Sequence, residues 1–238
     1  MRAVQSVRNE EASGAGIIRA YLFDYGGTLD GEGSHWFDRF VGLYRKLGAT
    51  FPRSAIHEAF YFADREIVTD AAGKGYRLRP LMERHVELQM EILGDEARRL
   101  AGPLVDGFCR ITTDGWAHAR SALGRLRERA RLGVVSNFYG NLEVLLDEAD
   151  LAPLFEVVVE SAKVGVEKPD PKIYLLALER LRLPAGDVMM VGDNFERDVR
   201  VAKSVGMRTA WLRRGDAAPP QAGLAARVIG RLGELAER

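Results

Sequence analysis

Hydrophobic and polar positions alternate in blocks along this chain. Short apolar runs that predict β-strands lie at residues 17–23, 131–136, 155–160, 187–191 and 208–212. Stretches with helical spacing of apolar residues lie between them, at residues 116–129, 140–149, 171–182 and 196–205. Near-continuous apolar strands that alternate with helices are typical of a parallel sheet covered on both faces. The pattern therefore predicts an α/β fold with a Rossmann-like, doubly wound parallel sheet.

The stretch between the first two predicted strands has a different pattern of apolar residues. Apolar residues recur there at helical spacing, and Gly48, Gly73 to Gly75 and Gly94 divide it into about four helices. We call this stretch, residues 32–114, the helical insertion. The predicted organisation is a disordered leader at 1–16, an α/β core at 17–31 and 115–238, and the helical insertion at 32–114.

Length, charge and cysteine content narrow the functional classes. The 238 residues suffice for one domain with a sizeable insertion. Basic and acidic residues number 34 each, so we expect neither a nucleic-acid nor a membrane partner. The single cysteine, Cys109, leaves no intrachain disulfide, and its apolar neighbours favour a packing role. We expect a cytoplasmic protein that is a monomer or a homodimer.

Residues able to do chemistry follow the first predicted strand. Asp24 ends this apolar run, and Gly26, Gly27 and Thr28 come directly after it. Ligands of open α/β sheets bind at the carboxyl ends of the strands. Glycines let the backbone turn sharply and approach a ligand closely. The segment therefore predicts a binding site that contains Asp24.

Further polar residues follow later strands in a fixed order. Ser136 and Asn137 end the second predicted strand, Lys168 lies in a proline-stiffened loop before a helix, and Asp193 ends another apolar run, with Asp198 five residues later. Each segment alone has a structural explanation. Ser and Asn, for example, are favoured at the start of a helix. Their joint occurrence in this order favours one shared site.

This ordered set resembles the haloacid dehalogenase-like superfamily of hydrolases, over about residues 17–30 and 116–215. The resemblance implies that Asp24 is a nucleophile, which splits one difficult displacement into two easier steps. Thr28 and Ser136 would hydrogen-bond the phosphoryl group or orient Asp24, and Lys168 would neutralise negative charge. The catalytic residues predicted in this way are Asp24, Thr28, Ser136 and Lys168. The predicted substrate-binding residues are Gly27, Ser136, Asn137 and Lys168.

The same resemblance implies a Mg²⁺ ion and a cap. The implied ligands are the carboxylates of Asp24 and Asp193 and the backbone carbonyl of Gly26, with Asp198 direct or through water. Oxygen ligands of this kind suit Mg²⁺. The helical insertion would be the family's cap, which excludes water and selects a small phosphorylated metabolite. Residues that could select this substrate are Tyr44, Arg65, Tyr76, Arg77 and His85.

The sequence departs from the family at Gly26. Most phosphatases of the superfamily carry a second Asp there, which protonates the leaving group and then activates water. Acid–base assistance of this kind is worth about 10²–10⁴-fold. We therefore expect slow hydrolysis unless another residue substitutes. The candidates are Asp30, His35, Tyr61, Arg65 and His85, and structural roles are favoured for Asp30 and His35.

Three other functions remain open. A dehalogenase needs no acid, but those of this superfamily work without a metal and carry Tyr at the position of Gly26. A phosphonatase needs a cap lysine, and Lys46 and Lys74 are the lysines of the helical insertion. A non-catalytic phosphate-binding protein would have to stabilise four converging charged residues. Retention of both Asp193 and Asp198 favours the phosphatase.

Overall fold

A computed structural model of the chain describes residues 17–70, 72–214 and 223–237. Six strands form one sheet: β1 (Ala20–Phe23), β2 (Arg131–Ser136), β3 (Val157–Glu160), β4 (Val188–Gly192), β5 (Arg208–Leu212) and β6 (Arg227–Ile229). Their order across the sheet is β3-β2-β1-β4-β5-β6, and every neighbouring pair is parallel. The predicted α/β class with a parallel sheet is confirmed.

Strand β1 lies at the centre of the sheet, between β2 and β4. In the register of the sheet, Leu22 faces Gly133 on one side and Met190 on the other. Both β1 and β4 are buried along their whole length, which explains why they are almost entirely apolar. The chain runs from β1 to β2 and β3 on one side of β1 and then crosses to β4 on the other side. A crevice that can bind ligands forms at such a reversal, outside the carboxyl ends of the strands.

Helices make up most of the remaining chain. Between β1 and β2 lie α1 (Trp36–Lys46), α2 (Arg53–Thr69), α3 (Leu78–Leu93), α4 (Asp95–Arg98) and α5 (Ala101–Arg127). The later helices are α6 (Leu142–Glu148), α7 (Ser161–Val164), α8 (Lys172–Leu181) and α9 (Val201–Ser204). No strand lies among the described residues between β1 and β2, as the sequence pattern predicts. Gly94 ends α3 with a φ of 83°, a conformation that favours glycine.

Helix α5 crosses the predicted boundary between the helical insertion and the core. It runs without a break from Ala101 to Arg127, so residues 114 and 115 lie inside one helix. A Cβ atom on Gly115 would lie 2.5 Å from the backbone carbonyl of Asp30, so glycine there lets α5 pass close to the loop after β1. The domain division itself stays a prediction. The predicted leader at 1–16 lies outside the described residues.

Some elements differ from those that the sequence predicts. Strand β1 begins at Ala20 instead of residue 17, and the predicted helix at 196–205 begins as a π-helical turn, Phe195–Arg200. Strand β6 is only three residues long and includes the exposed Val228, so it carries no clear apolar pattern. Burial raises the pKa of the Cys109 thiol to about 11, which agrees with a packing role. Among the described residues, no helix is both long and apolar enough to cross a membrane.

Candidate active site

Asp24 lies at the carboxyl edge of the sheet, directly after β1. Its backbone N–H donates to the carbonyl of Val191 in β4, at 2.9 Å. Its side-chain Oδ1 accepts hydrogen bonds from Ser136 Oγ, at 3.0 Å, and from Lys168 Nζ, at 2.6 Å. Three separate parts of the chain, the ends of β1 and β2 and the loop before α8, thus meet at one carboxylate.

Lys168 joins two carboxylates in this site. Its Nζ also donates to Asp198 Oδ1, at 2.6 Å, and only 3% of its side chain is exposed. Burial favours the neutral amine, but the neighbouring Asp198 and Asp24 outweigh it and raise the pKa of Lys168. Lys168 is therefore a fixed positive charge between Asp24 and Asp198.

Asn137 holds the loop that carries Lys168. Its side-chain Oδ1 accepts from the Lys168 backbone N–H, at 2.7 Å, and its Nδ2 donates to the Lys168 carbonyl, at 2.9 Å. Both ends of the amide are thereby used, although Asn137 also lines the cavity described below. A direct contact of Asn137 with substrate stays a prediction.

Three carboxylates form an acidic cluster at the floor of the site. One oxygen from each of Asp24, Asp193 and Asp198 lies within 4.8 Å of the others. Burial, followed by the charges of Asp24 and Asp198, raises the pKa of Asp193 well above its ordinary value. Burial raises the pKa of Asp198 to about 6, against the attraction of Lys168. Three carboxylates share one ammonium group, and this uncompensated charge with oxygen donors fits a divalent cation.

Glycine residues make room for two of these carboxylates. A Cβ atom on Gly27, whose φ is +89°, would lie 2.2 Å from Asp193 Oδ2. A Cβ atom on Gly192 would lie 2.2 Å from Asp198 Oδ2. Gly27, predicted to bind substrate, thus has a clear steric role beside Asp193, and its contact with substrate stays a prediction.

Thr28 contacts Asp193 instead of Asp24. The buried Thr28 hydroxyl accepts from the Asp193 backbone N–H at 3.1 Å, and lies 3.5 Å from Asp193 Oδ1. A contact of Thr28 with the phosphoryl group, or a role in orienting Asp24, stays a prediction from the resemblance, and the sequence gives no sign of Asp193 as its partner across the sheet. Thr28 therefore positions the acidic cluster in this structure.

Gly26 borders the cavity with an ordinary backbone conformation. Its φ and ψ are −70° and 115°, which any residue can adopt. A Cβ atom there would lie 3.7 Å from Trp36 Nε1, an ordinary contact distance. The backbone and its nearest neighbours therefore do not require glycine at this position.

Asp30 is a structural anchor and cannot be the missing acid. It is fully buried and accepts hydrogen bonds from the Gly27 backbone N–H, from Trp36 Nε1 and from Arg39. The Arg39 guanidinium, itself buried, lies 2.5 Å from Asp30 Oδ1 and also donates to Thr112 in α5. The favoured structural role of Asp30 agrees with these contacts, whereas sequence spacing gave no sign of Arg39 as its partner.

A cavity of about 710 Å³ opens above Asp24 and extends to α2 of the helical insertion. Its walls include the aromatic side chains of Trp36, Phe60, Tyr61, Phe138 and Tyr139. Of the residues considered as acids, His35, Tyr61 and Arg65 line the cavity. Fully buried His85 does not, and neither do Lys46 and Lys74, which a phosphonatase reaction would require.

Asp64 joins the helical insertion to the core at the edge of this cavity. The Tyr139 hydroxyl, from the loop after β2, donates to Asp64 Oδ1, and His85 Nε2 lies 3.3 Å from the same oxygen. Behind them, His85 Nδ1 contacts the Gln89 amide at 2.8 Å, and the Tyr44 hydroxyl donates to Gln89 at 3.0 Å. Tyr44 and His85, predicted to select substrate, are thus inside a buried polar network.

The other residues predicted to select substrate differ in whether they line the cavity. The Tyr76 carbonyl accepts from Asn141 Nδ2 at 2.8 Å, which ties the segment before α3 to the core. Of the five predicted residues, Arg65 lines the cavity, and Tyr44, Tyr76, Arg77 and His85 do not. The sequence missed Asp64, which resembles an ordinary solvated residue of an amphipathic helix.

Comparison with known proteins identifies the family. The family model described as haloacid dehalogenase-like hydrolase matches residues 18–206, well over half of the chain. The chain belongs to this hydrolase family. Asp24 and the carboxyl edge of the sheet where it lies fall inside the matched region.

Curated relatives of the chain include phosphate-releasing enzymes. Pyrimidine 5'-nucleotidase YjjG from Escherichia coli is 29% identical over 181 residues, which cover 74% of this chain and 80% of that protein. A phosphoserine phosphatase from Thermus thermophilus is 35% identical over 140 residues, or 57% of this chain and 56% of that protein. This HAD-like hydrolase is therefore similar to a nucleotidase over 74% of its length and to a phosphoserine phosphatase over 57%.

A solved dehalogenase shares the fold. The 2-haloacid dehalogenase from Pseudomonas syringae pv. Tomato DC3000 is 23% identical, with a TM-score of 0.54 over 92% of this chain and 96% of that chain. At this identity the likeness concerns the fold alone. The likeness extends over most of both chains.

Proposed function

We propose that this HAD-like hydrolase removes a phosphoryl group from a small phosphorylated metabolite, with Mg²⁺ and an aspartyl-phosphate intermediate on Asp24. The observation that carries the proposal is the cluster of Asp24, Asp193 and Asp198 around Lys168 at the floor of the cavity. Similarity to a nucleotidase and a phosphoserine phosphatase supports the same chemistry. A dehalogenase acting without a metal would have no need of two further carboxylates such as Asp193 and Asp198.

Asp24 is the proposed nucleophile, through its second carboxylate oxygen. Ser136 and Lys168 both hold Oδ1, and Oδ2 has no hydrogen-bond partner among the described residues. The two contacts on Oδ1 fix the carboxylate plane and leave Oδ2 for attack on phosphorus. Lys168 neutralises charge that builds up on the phosphoryl oxygens, and such fixed charges act strongly in a site that excludes water.

Mg²⁺ would be held by the acidic cluster. The proposed ligands are Asp24, Asp193 and the backbone carbonyl of Gly26, with Asp198 direct or through water. When bound, the ion would neutralise part of the phosphoryl charge and help to align it with the nucleophile. Thr28 and Gly27 contribute by keeping Asp193 in place.

The helical insertion is the proposed cap. Residues of α1 and α2 line the cavity, and the contact between Tyr139 and Asp64 joins this wall to the core. A wall of aromatic side chains excludes water from the phosphoryl group and leaves room for an organic substituent. Because Gly26 provides no acid, we expect turnover of alkyl phosphates to be slow.

The test is phosphate release from para-nitrophenyl phosphate and from a panel of phosphorylated metabolites, with and without Mg²⁺. Para-nitrophenolate leaves without protonation, so this ester reports on the nucleophile alone. We expect Mg²⁺-dependent release by the wild type and none by Asp24→Asn. Absence of release with every divalent metal tried would contradict the proposed function.

A further inference from the structure

His35 begins α1 at the edge of the cavity and has one ring nitrogen already engaged. Its Nδ1 accepts a hydrogen bond from the Phe37 backbone N–H, at 3.2 Å, and so caps the helix. A nitrogen that accepts a hydrogen bond carries no proton, so a neutral ring must carry its proton on Nε2. Nε2 has no hydrogen-bond partner among the described residues. His35 therefore brings an unused N–H donor to the wall of the cavity.

Several features keep this ring neutral. Burial lowers the pKa of His35, against Asp64 on α2, Asp24 after β1 and Asp38 on α1, whereas Arg39 acts with burial. An imidazolium would have to give up the cap, because both of its nitrogens are donors. It would also place a positive charge at the positive end of the α1 dipole. A histidine that a helix start keeps neutral in this way can still polarise a reacting oxygen, because it acts as a hydrogen-bond donor.

His35 lines the same cavity as Gly26, the position of the missing acid. The next residue, Trp36, lies against Gly26, with its indole nitrogen 3.7 Å from where a Cβ atom would be. His35 is close enough to both Asp24 and Asp64 to feel their charges. Two other polar groups of this wall are less suited, because Asp64 Oδ1 already accepts from Tyr139 and Arg65 is exposed.

We propose that His35 Nε2–H donates a hydrogen bond to the leaving-group oxygen of the substrate and partly replaces the acid that Gly26 lacks. This proposal rests on the proposed function. In the first step a bond forms between Asp24 Oδ2 and phosphorus while the bond from phosphorus to the leaving oxygen breaks. The oxygen departs with the electron pair and takes its proton from water, the co-substrate of a hydrolase. His35 keeps its own proton and stabilises the developing negative charge.

Two variants separate the two nitrogens of His35. In His35→Asn the side-chain oxygen can still cap α1, since Asn is among the best N-cap residues, but the shorter amide places no N–H donor at the position of Nε2. In His35→Gln the longer amide can place an N–H near the position of Nε2, but the cap is lost. A purely structural role would make His35→Gln the more damaging change for every substrate.

The experiment compares kcat/KM of these variants for para-nitrophenyl phosphate and for an alkyl phosphate such as glycerol phosphate. We expect His35→Asn to lower the alkyl phosphate value by about 10²-fold, the usual effect of losing one such donor, and to change the aryl value little. His35→Gln should recover most of the alkyl phosphate activity. Equal losses for both esters, or no loss for either, would overturn the role of His35.

The outcomes also separate this proposal from the proposed function. If the wild type hydrolyses the aryl ester through Asp24 and His35→Asn has the wild-type kcat/KM for both esters, only the role of His35 is overturned. If wild type hydrolyses no phosphate ester, both proposals are overturned. Nitrogen NMR of the His35 ring gives an independent check, since an Nδ1–H tautomer or an imidazolium at neutral pH would also contradict the proposal.

Discussion

The indole nitrogen of Trp36 lies 3.7 Å from the point that a Cβ atom on Gly26 would occupy. The same nitrogen donates to the buried carboxylate of Asp30, at 2.5 Å. The position of Gly26 is thus bordered by a fixed aromatic ring. It is not closed by backbone, since Gly26 has φ and ψ values open to any residue.

Gly26→Asp should raise the turnover of alkyl phosphates. Its Cβ atom fits, and a carboxyl group two residues after Asp24 can supply the proton that the leaving group needs. We expect an increase of at least about tenfold in kcat, at the lower end of the usual effect because the rest of the site has not adapted. The measurement is Mg²⁺-dependent phosphate release from glycerol phosphate. Gly26→Asn is the matched control, and an equal gain in this variant would exclude acid catalysis as the cause.

Arg39→Met should strongly destabilise the fold. It removes the partner of Asp30, leaving a fully buried carboxylate without its ion pair, a change that typically costs about 3–5 kcal/mol of unfolding free energy. Denaturant unfolding measures this loss. Arg98→Met is the control, since the Arg98–Asp95 pair is exposed and should contribute about 0–1 kcal/mol. Similar losses in the two variants would contradict the role given to the Asp30–Arg39 pair.

Mg²⁺ should stabilise the protein more as the pH rises. Without metal, the raised pKa of Asp198, about 6, and that of Asp193 mean that the folded protein holds protons that the unfolded chain releases. Stability of the metal-free protein therefore falls as the pH rises through this range. Mg²⁺ would replace those protons, so the Tm difference between Mg²⁺ and chelator should grow from about pH 5 to about pH 7.

The control for this metal effect is Asp193→Asn, which removes one charge from the acidic cluster at almost the same volume. We expect a smaller Tm difference between Mg²⁺ and chelator, and a weaker dependence of this difference on pH. A wild-type Tm that Mg²⁺ leaves unchanged over the whole range would count against a metal site at Asp24, Asp193 and Asp198.

Gly192→Ala should disturb the acidic cluster by displacing the side chain of Asp198. The added Cβ atom would lie 2.2 Å from Asp198 Oδ2, so the carboxylate must move away from Lys168. We expect a loss of about 1–3 kcal/mol in stability, as for other overpacked sites, together with loss of phosphate release. Gly124→Ala in α5 has no atom within 4 Å of its new methyl group and should stabilise by about 0.5–1 kcal/mol. Full activity of Gly192→Ala would contradict this account.

The placement of Asp24, Ser136 and Asp193 could be predicted from the sequence. Each follows an apolar run, and parallel strands deliver the residues at their carboxyl ends to one edge of a sheet. The same pattern identified the α/β class, because strands buried on both faces must be apolar throughout. These features depend only on the order of residues along single elements.

Pairings between distant side chains could not be predicted in this way. Tyr139 and Asp64 are 75 residues apart, and their hydrogen bond depends on how α2 approaches the loop after β2. The hydrogen bond between Thr28 and Asp193 joins residues 165 positions apart, and the sequence gives no sign of it. Periodicity gives the face on which a residue lies, but not which element packs against that face. For a related reason the sequence gives no sign that one helix, α5, runs through the predicted boundary between residues 114 and 115.

The unbroken helix α5 has a mechanical consequence. It is 27 residues long, or about 40 Å, and runs from the helical insertion directly into the turn before β2. The other connection to the sheet is the short loop after Asp30, where Glu32 and Gly33 both have positive φ values. The helical insertion is thus attached to the sheet by one continuous helix and by one short loop. We expect rotation of the helical insertion about the axis of α5 to control access to the cavity. The hydrogen bond between Tyr139 and Asp64 would then hold the cavity closed.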